Sequence, residues 1–352
     1  MYRPTRRAVL GTAALGAIGL AGCSNSARSE EPAGTSGSSS GKGSWPVQID
    51  HAFGQTVIES EPQRVATVNW GNHEVPLALG IVPVGMAKTM WGDDDGDGIH
   101  PWVADKLAEL GGDQPALFDE TDGIDFEAVA NTTPDVILAA YSGLTQEDYD
   151  LLTEIAPTVA YPEAAWATPW REMIEYNSKG LGLAEEGTQY IADLEDTIAQ
   201  AVEAAPQIKG ATAMMVTHVD VTDLSEISFY TAHDTRTKYF EDLGMKIPAS
   251  LQKLSADTES FSGSISAERA DVFSDVDIFV TYGGQELTDA LKADPLLSQL
   301  PAVANDAIVY LPGDEPLGTA ANPTPLQIPA LIDDYVALLA EAVDAAAADA
   351  GK

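Results

Sequence analysis

A single cysteine, Cys23, stands in this chain of 352 residues, and that alone excludes an intrachain disulfide, a cysteine-based zinc site and a CxxC redox pair. Histidine is scarce too: five residues, spread along the chain without a His-rich loop, make no zinc or manganese site. His73-Glu74 opens like the HExxH helix of a zinc protease, but the second histidine is missing and Pro76 sits inside the helix that would carry it. Basic residues are few, 18 Lys and Arg against 55 Asp and Glu, for a formal charge of −37 and a pI near 4.1. With no Lys/Arg run to make a local patch, the chain repels nucleic acid. Long apolar runs are also lacking: residues 8–22 form a Gly/Ala-rich stretch of about 15 residues, short of the ~20 that span a bilayer.

Two further motifs match only in letters. Gly37-Ser38-Ser39-Ser40-Gly41 spells the GxSxG nucleophile elbow, yet no strand precedes it and no helix follows. Asp93, Asp95, Asp97 and Gly98 fit positions 1, 3, 5 and 6 of an EF-hand loop, but Ala104 stands where the bidentate glutamate belongs, so the segment reads as a solvated acidic loop. No convergent acid, base and nucleophile set appears anywhere, so the chain is not expected to be an enzyme or to hold a resident metal or cofactor.

What is present begins at the N-terminus. Arg3, Arg6 and Arg7, then a weakly apolar segment, then Leu20-Ala21-Gly22-Cys23 make an export signal, 1–22, that ends in a bacterial lipobox. Arg6-Arg7 leaves the twin-arginine and the general secretory routes both open. The expected mature chain starts at a lipid-modified Cys23, whose acyl chains anchor it to the outer face of the cytoplasmic membrane, at the cell surface or in a periplasm. Residues 23–44 form a Ser/Gly-rich tether with a reach of roughly 25 Å.

From Trp45 onward the pattern alternates short β-branched runs with helical stretches, the mark of an α/β fold with mainly parallel sheets. Strands are expected at 64–69, 82–87, 136–140, 158–161, 211–219, 278–282 and 308–311. Helices are expected at 74–79, 126–131, 146–155, 237–243 and 287–292. The longest helix, 184–205, carries Ile191, Leu194, Ile198 and Val202 at helical spacing and stops at Pro206 and Gly210. Around it lies a weak internal repeat: Glu127 followed by Asp135 before one strand, and Glu268 followed by Asp277 before another. The expected organisation is therefore a lobe at 45–183, a helix at 184–206 and a lobe at 207–352. A helical connection bends little, which limits closure between the lobes.

These residues carry a resemblance. Pro62-Gln-Arg-Val65, the segments 78–85, 91–102 and 127–137, Ala156-Pro-Thr-Val159 and Trp166-Ala-Thr-Pro-Trp170 resemble the iron-siderophore and cobalamin class of ABC-transporter substrate-binding proteins. That resemblance implies two Rossmann-like lobes bridged by one helix, and a monomer that passes a ferric siderophore to an ABC permease and its ATPase. A haem- or cobalamin-binding lipoprotein of the same fold is the alternative. It also implies that Glu127 and Glu268, one on each lobe, meet arginines of the two permease subunits. The bland reading of either is an acidic residue favoured by a helix N-terminus.

Ligands of open α/β sheets bind beyond the carboxyl ends of the strands. This places Trp70, Asn72, Trp91, Tyr141, Trp166, Trp170 and Arg171 of the first lobe opposite Tyr230, His233, Arg236, Tyr282 and the loop Pro312 to Pro325 of the second. Aromatic faces suit the periphery of an iron chelate, and Arg171 and Arg236 are the candidates to neutralise it. Direct ligation of iron by Tyr141, Tyr230, Tyr282, His73 and His233 is the rival arrangement.

Overall fold

Strand β1 (Val47–His51) and strand β2 (Gly54–Ile58) pair as an antiparallel hairpin ahead of the first sheet. That sheet is made of β3 (Val65–Thr67), β4 (Gly85–Ala87), β5 (Ala116–Phe118), β6 (Val136–Ala139) and β7 (Thr158–Ala160), in the order β5-β4-β3-β6-β7. Every pairing within it is parallel. Each residue of β3, β4, β6 and β7 is buried, as expected where crossover helices cover both faces. The structure is a computed structural model that describes residues 44–349 except 218, 220 and 314. The export signal, Cys23 and the tether up to residue 43 lie outside the described residues.

The second sheet repeats the pattern on a smaller scale. Strand β8 (Ala213–Met215) is followed by β9 (Glu226–Tyr230), β10 (Ser262–Ser266), β11 (Ile278–Tyr282) and β12 (Ile308–Leu311). The parallel order is β12-β11-β8, while β9 and β10 form an antiparallel ribbon beside it. The internal repeat has a structural meaning. Asp135 accepts from the backbone N–H of Gln63 (2.8 Å) and Arg64 (2.9 Å), pinning the start of β3 to the start of β6. Asp277 does the same for β8 and β11 by accepting from the Thr212 N–H at 2.7 Å and its hydroxyl at 2.8 Å. Each aspartate closes the same pair of neighbouring strands.

Between the two sheets in sequence runs the helix Ala184–Ala204, about 31 Å long at 1.5 Å per residue. Ile191, Leu194, Ile198 and Val202 are buried along one stripe, each contributing roughly 1.5–3 kcal/mol against exposure. They join a core that also contains Trp170 and Ile174 from the first lobe and Tyr239, Val280 and Tyr335 from the second. The described residues from 44 onward consequently belong to one compact unit. The C-terminal helix Gln327–Asp349 packs along this connecting helix, and no described helix is long and apolar enough to cross a membrane.

Candidate functional site

The carboxyl ends of the strands converge on a cavity of about 440 Å³ between the two sheets. Trp70, Trp91, Tyr141 and Trp166 line it from the first lobe, and Tyr230, Arg236, Phe261, Tyr282 and Asn322 from the second. A neighbouring cavity of about 380 Å³ shares Trp70, Trp91 and Trp166 but is otherwise walled by first-lobe residues. The rings meet edge to face: Tyr141 and Trp166 at 5.4 Å, Trp91 and Tyr282 at 5.2 Å, a geometry that aligns positive ring edges with negative faces.

Two glycines let the indoles sit where they do. A Cβ on Gly143 would lie 2.3 Å from Trp166 Nε1, and one on Gly313 would lie 2.2 Å from the Trp91 ring. Trp166 itself has φ +59°, a left-handed conformation that is uncommon for an aromatic residue and is found at ligand clamps and other functional positions. Its N–H donates to the Ser142 carbonyl at 2.9 Å, which helps hold it there. Trp91 reaches across the lobes to donate from Nε1 to the Gly318 carbonyl at 3.3 Å.

The second lobe supplies the one cation among the described residues lining the larger cavity. Arg236 packs its guanidinium 4.1 Å over the Tyr230 ring and donates to the buried Asp234 at 2.8 Å. Asp234 in turn caps the helix Thr235–Asp242 by accepting from the Arg236 N–H. Burial pushes the phenol of Tyr141 up, pushes Tyr230 up to about 12 and raises Tyr282, with Arg236 pulling each back. All three are therefore neutral hydroxyls at physiological pH, better suited to donating hydrogen bonds to chelate oxygens than to serving as phenolate ligands for bare iron.

Other candidate residues occupy different places. Asn72 is fully buried beneath the cavity, where its side-chain amide donates to the carbonyls of Val68 (2.9 Å) and Tyr141 (2.7 Å) and its oxygen accepts from the Tyr141 N–H. It staples the loops after β3 and β6 together. Trp170 and Arg171 begin a helix, Trp170–Gly180, rather than ending a loop, and that turns Trp170 into the core at 2% exposure. The Trp170 Nε1 donates to Asp242 at 2.8 Å, and Arg171 pairs with Glu195 at 2.6 Å and Asp242 at 2.8 Å. Both residues brace the lobes instead of lining the cavity. His233 Nε2 lies 3.1 Å from the Ser255 carbonyl, again outside the cavity walls. Glu127 and Glu268 are exposed, each in the first turn of a short helical segment, Phe126–Asn131 and Ala267–Phe273.

Phe261 lines the cavity without having been singled out by the sequence, while Asn322 belongs to the loop 312–325 expected to face it. Phe261 is 38% exposed just before β10, in a ribbon whose Ser-rich strand gives little hydrophobic signal. Asn322 lies in the loop before the C-terminal helix and accepts from Thr235 (3.1 Å) and Tyr141 (3.3 Å), linking the lobes under the cavity floor. A further cross-lobe contact surrounds Glu74, which is 1% exposed. It accepts from Trp102 Nε1 (2.8 Å) and from the backbone N–H groups of Leu326 (2.7 Å) and Gln327 (3.2 Å) at the start of the C-terminal helix.

Comparison with known proteins decides the family. The profile described as "Periplasmic binding protein" matches residues 65–315, covering both sheets and the connecting helix. The chain belongs to that family. This periplasmic binding protein is similar to PiaA of Streptococcus pneumoniae TIGR4, solved in complex with ferrichrome, with 43% identity and a TM-score of 0.82 over 85% of this chain and 99% of that one. It is also 26% identical over 287 residues to the ferric enterobactin-binding periplasmic protein FepB of Escherichia coli, spanning 76% of this chain and 84% of FepB. The probable siderophore-binding lipoprotein YfiY of Bacillus subtilis is 26% identical over 239 residues, 66% of this chain and 68% of YfiY. Periplasmic binding proteins are non-enzymatic transport components.

Proposed function

We propose that this binding protein captures a ferric siderophore in the aromatic cavity between its lobes and delivers it to an ABC importer. The observation that carries the reading is the cavity itself: three indoles and three phenols around one half-buried guanidinium, beside a second chamber, in a chain whose family serves solute import. The rings supply broad apolar contact for a bulky organic shell, while Arg236 and the neutral tyrosines supply donors for chelate oxygens. Because Arg236 is already matched by Asp234, the cavity offers no surplus positive charge. A chelate of low net charge, such as a ferric trihydroxamate, is favoured over a trianionic catecholate, more so in a protein of formal charge −37.

The relatives support the ligand class: PiaA was solved with ferrichrome, and FepB is named for ferric enterobactin. We further assign Cys23 as the lipid anchor to the outer face of the membrane, and Glu127 and Glu268 as the acidic contacts that meet the permease. The lobe, helix and lobe division at 45–183, 184–206 and 207–352 accompanies that assignment.

Half of the protein's six tryptophans line the cavity, so intrinsic fluorescence reports occupancy directly. Titration with a ferric trihydroxamate is expected to quench it with a sub-micromolar midpoint, and the iron-free compound far more weakly. Equal quenching by both, or saturation only by haemin or cobalamin, would assign the cavity to another ligand. In cells, Glu127→Ala combined with Glu268→Ala is expected to abolish iron-chelate uptake while the purified variant keeps its quenching curve. Uptake at the unaltered rate would remove the docking role.

A further inference from the structure

The smaller cavity differs from the larger one in where its walls come from and in its charge. All its lining residues belong to the first lobe, and Trp70, Trp91 and Trp166 line both spaces. Its ionisable walls are Glu120 and Asp148 against one cation, Lys88, together with His73 and His100. Both imidazoles are 4% exposed, and burial holds them neutral, His73 pushed down to about 3, so they add no positive charge. Glu120 accepts from the Asn69 N–H at 3.0 Å and its side-chain amide at 2.9 Å, Asp148 accepts from the Thr145 N–H at 2.9 Å and hydroxyl at 2.7 Å in the capping box of the helix Gln146–Ile155, and among the described residues neither carboxylate has an ion-pair partner. Two carboxylate oxygens offer about four lone pairs, so the Asn69 contacts leave Glu120 with acceptor capacity. Its carboxyl is also held above the ordinary range by desolvation, which an arriving cation would offset.

We infer that this second chamber is a subsite for a cationic arm of the chelate, an alkylammonium group carried beyond the iron-binding head, with Glu120 and Asp148 as its acidic partners. The inference rests on the siderophore reading of the larger cavity. An iron head in the space between the lobes would extend a pendant chain past the shared tryptophans, where an ammonium meets two carboxylates against the single Lys88, with neutral ring nitrogens, rather than the Arg236 guanidinium. Apolar parts of the arm would lie against Leu144 and the exposed Met90.

The test compares two linear ferric trihydroxamates that differ at one atom group: a terminal primary amine, charged at pH 7 with a pKa of about 10.4, and the same amine acetylated. At low ionic strength the amine form is expected to bind about fivefold tighter or more, the scale of a partly shielded ion pair. Long-range attraction by the acidic chain would favour the amine too, but Glu120→Gln or Asp148→Asn removes only one charge of many. The affinity ratio in each variant should therefore fall toward one only if the recognition is local. Should Glu120→Gln fail to fold, the wild-type ratio and the Asp148→Asn ratio decide. Equal affinities in the wild type, or a ratio unmoved by both variants, overturn the subsite and leave the siderophore reading standing. Failure of both chelates to bind overturns the subsite and the trihydroxamate reading together.

Discussion

Replacing Arg236 by Leu should weaken ferric-chelate binding ten- to hundredfold and, in the same protein, cost about 3–5 kcal/mol of stability. The first effect follows from removing the cavity's charged donor, since a hydrogen bond to a charged group is worth about 1.5–3 kcal/mol. The second follows from what remains: Asp234, with a side chain 0% exposed, is left in the interior without its partner 2.8 Å away, and staying charged there or taking up a proton both cost stability. The two effects separate in a double variant. Asp234→Asn with Arg236→Leu removes the stranded charge, and Asn still caps the helix Thr235–Asp242. That protein should regain most of its stability in a denaturant titration while its quenching midpoint stays shifted. If binding returned along with stability, Arg236 would act only by holding the fold.

Glu74→Ala should cost roughly 2–4 kcal/mol, because it leaves the Trp102 indole N–H and the N–H groups of Leu326 and Gln327 buried without an acceptor. Those donors come from both sides of the interlobe cleft, so the substitution also loosens the lobes, and thermal melting should broaden as well as shift. Burial pushes the Glu74 carboxyl above its ordinary value near 4.5, with Thr324, Trp102 and the two backbone groups pulling it back. The folded state consequently binds this proton more tightly than the unfolded chain does. Stability contributed by Glu74 thus rises as pH falls from the raised folded value toward about 4.5, and is lost as pH climbs back through that window. Glu74→Gln, which cannot titrate, should flatten this part of the stability profile. An unchanged slope would mean that other buried carboxyls carry it.

The sheets were legible because their strands are short β-branched runs bounded by turns, and the connecting helix because a regular apolar stripe runs from Ile191 to Val202. Strand β5, three residues long, and strand β10, with serine at alternate positions, carry too little hydrophobic signal to stand out. The β1–β2 hairpin alternates polar and apolar residues but lies outside the parallel pattern that organised the rest. One missed helix had consequences for the site. Reading 166–171 as a loop offered Trp170 and Arg171 to the ligand, whereas Trp170, Met173, Ile174 and Asn177 follow helical spacing behind Pro169 and face inward. Residue type alone cannot tell an indole that lines a cavity from one that fills a core; the direction of the backbone decides. The same holds for the arginines. Arg171 sits among Glu195 and Asp242 as a brace, and Arg236 sits among tyrosines at an opening, yet each follows an aromatic segment in sequence.

The central claim is that iron, wrapped in an organic chelate, rests against Trp70, Trp91, Trp166 and Arg236. Crystals grown with a ferric trihydroxamate and measured at the iron absorption edge would locate the metal without assumption about its shell. The account requires one anomalous peak in the space between the lobes, separated from every tyrosine oxygen by chelate atoms. A peak bonded directly to Tyr141, Tyr230 or Tyr282, or one outside that space, would contradict it.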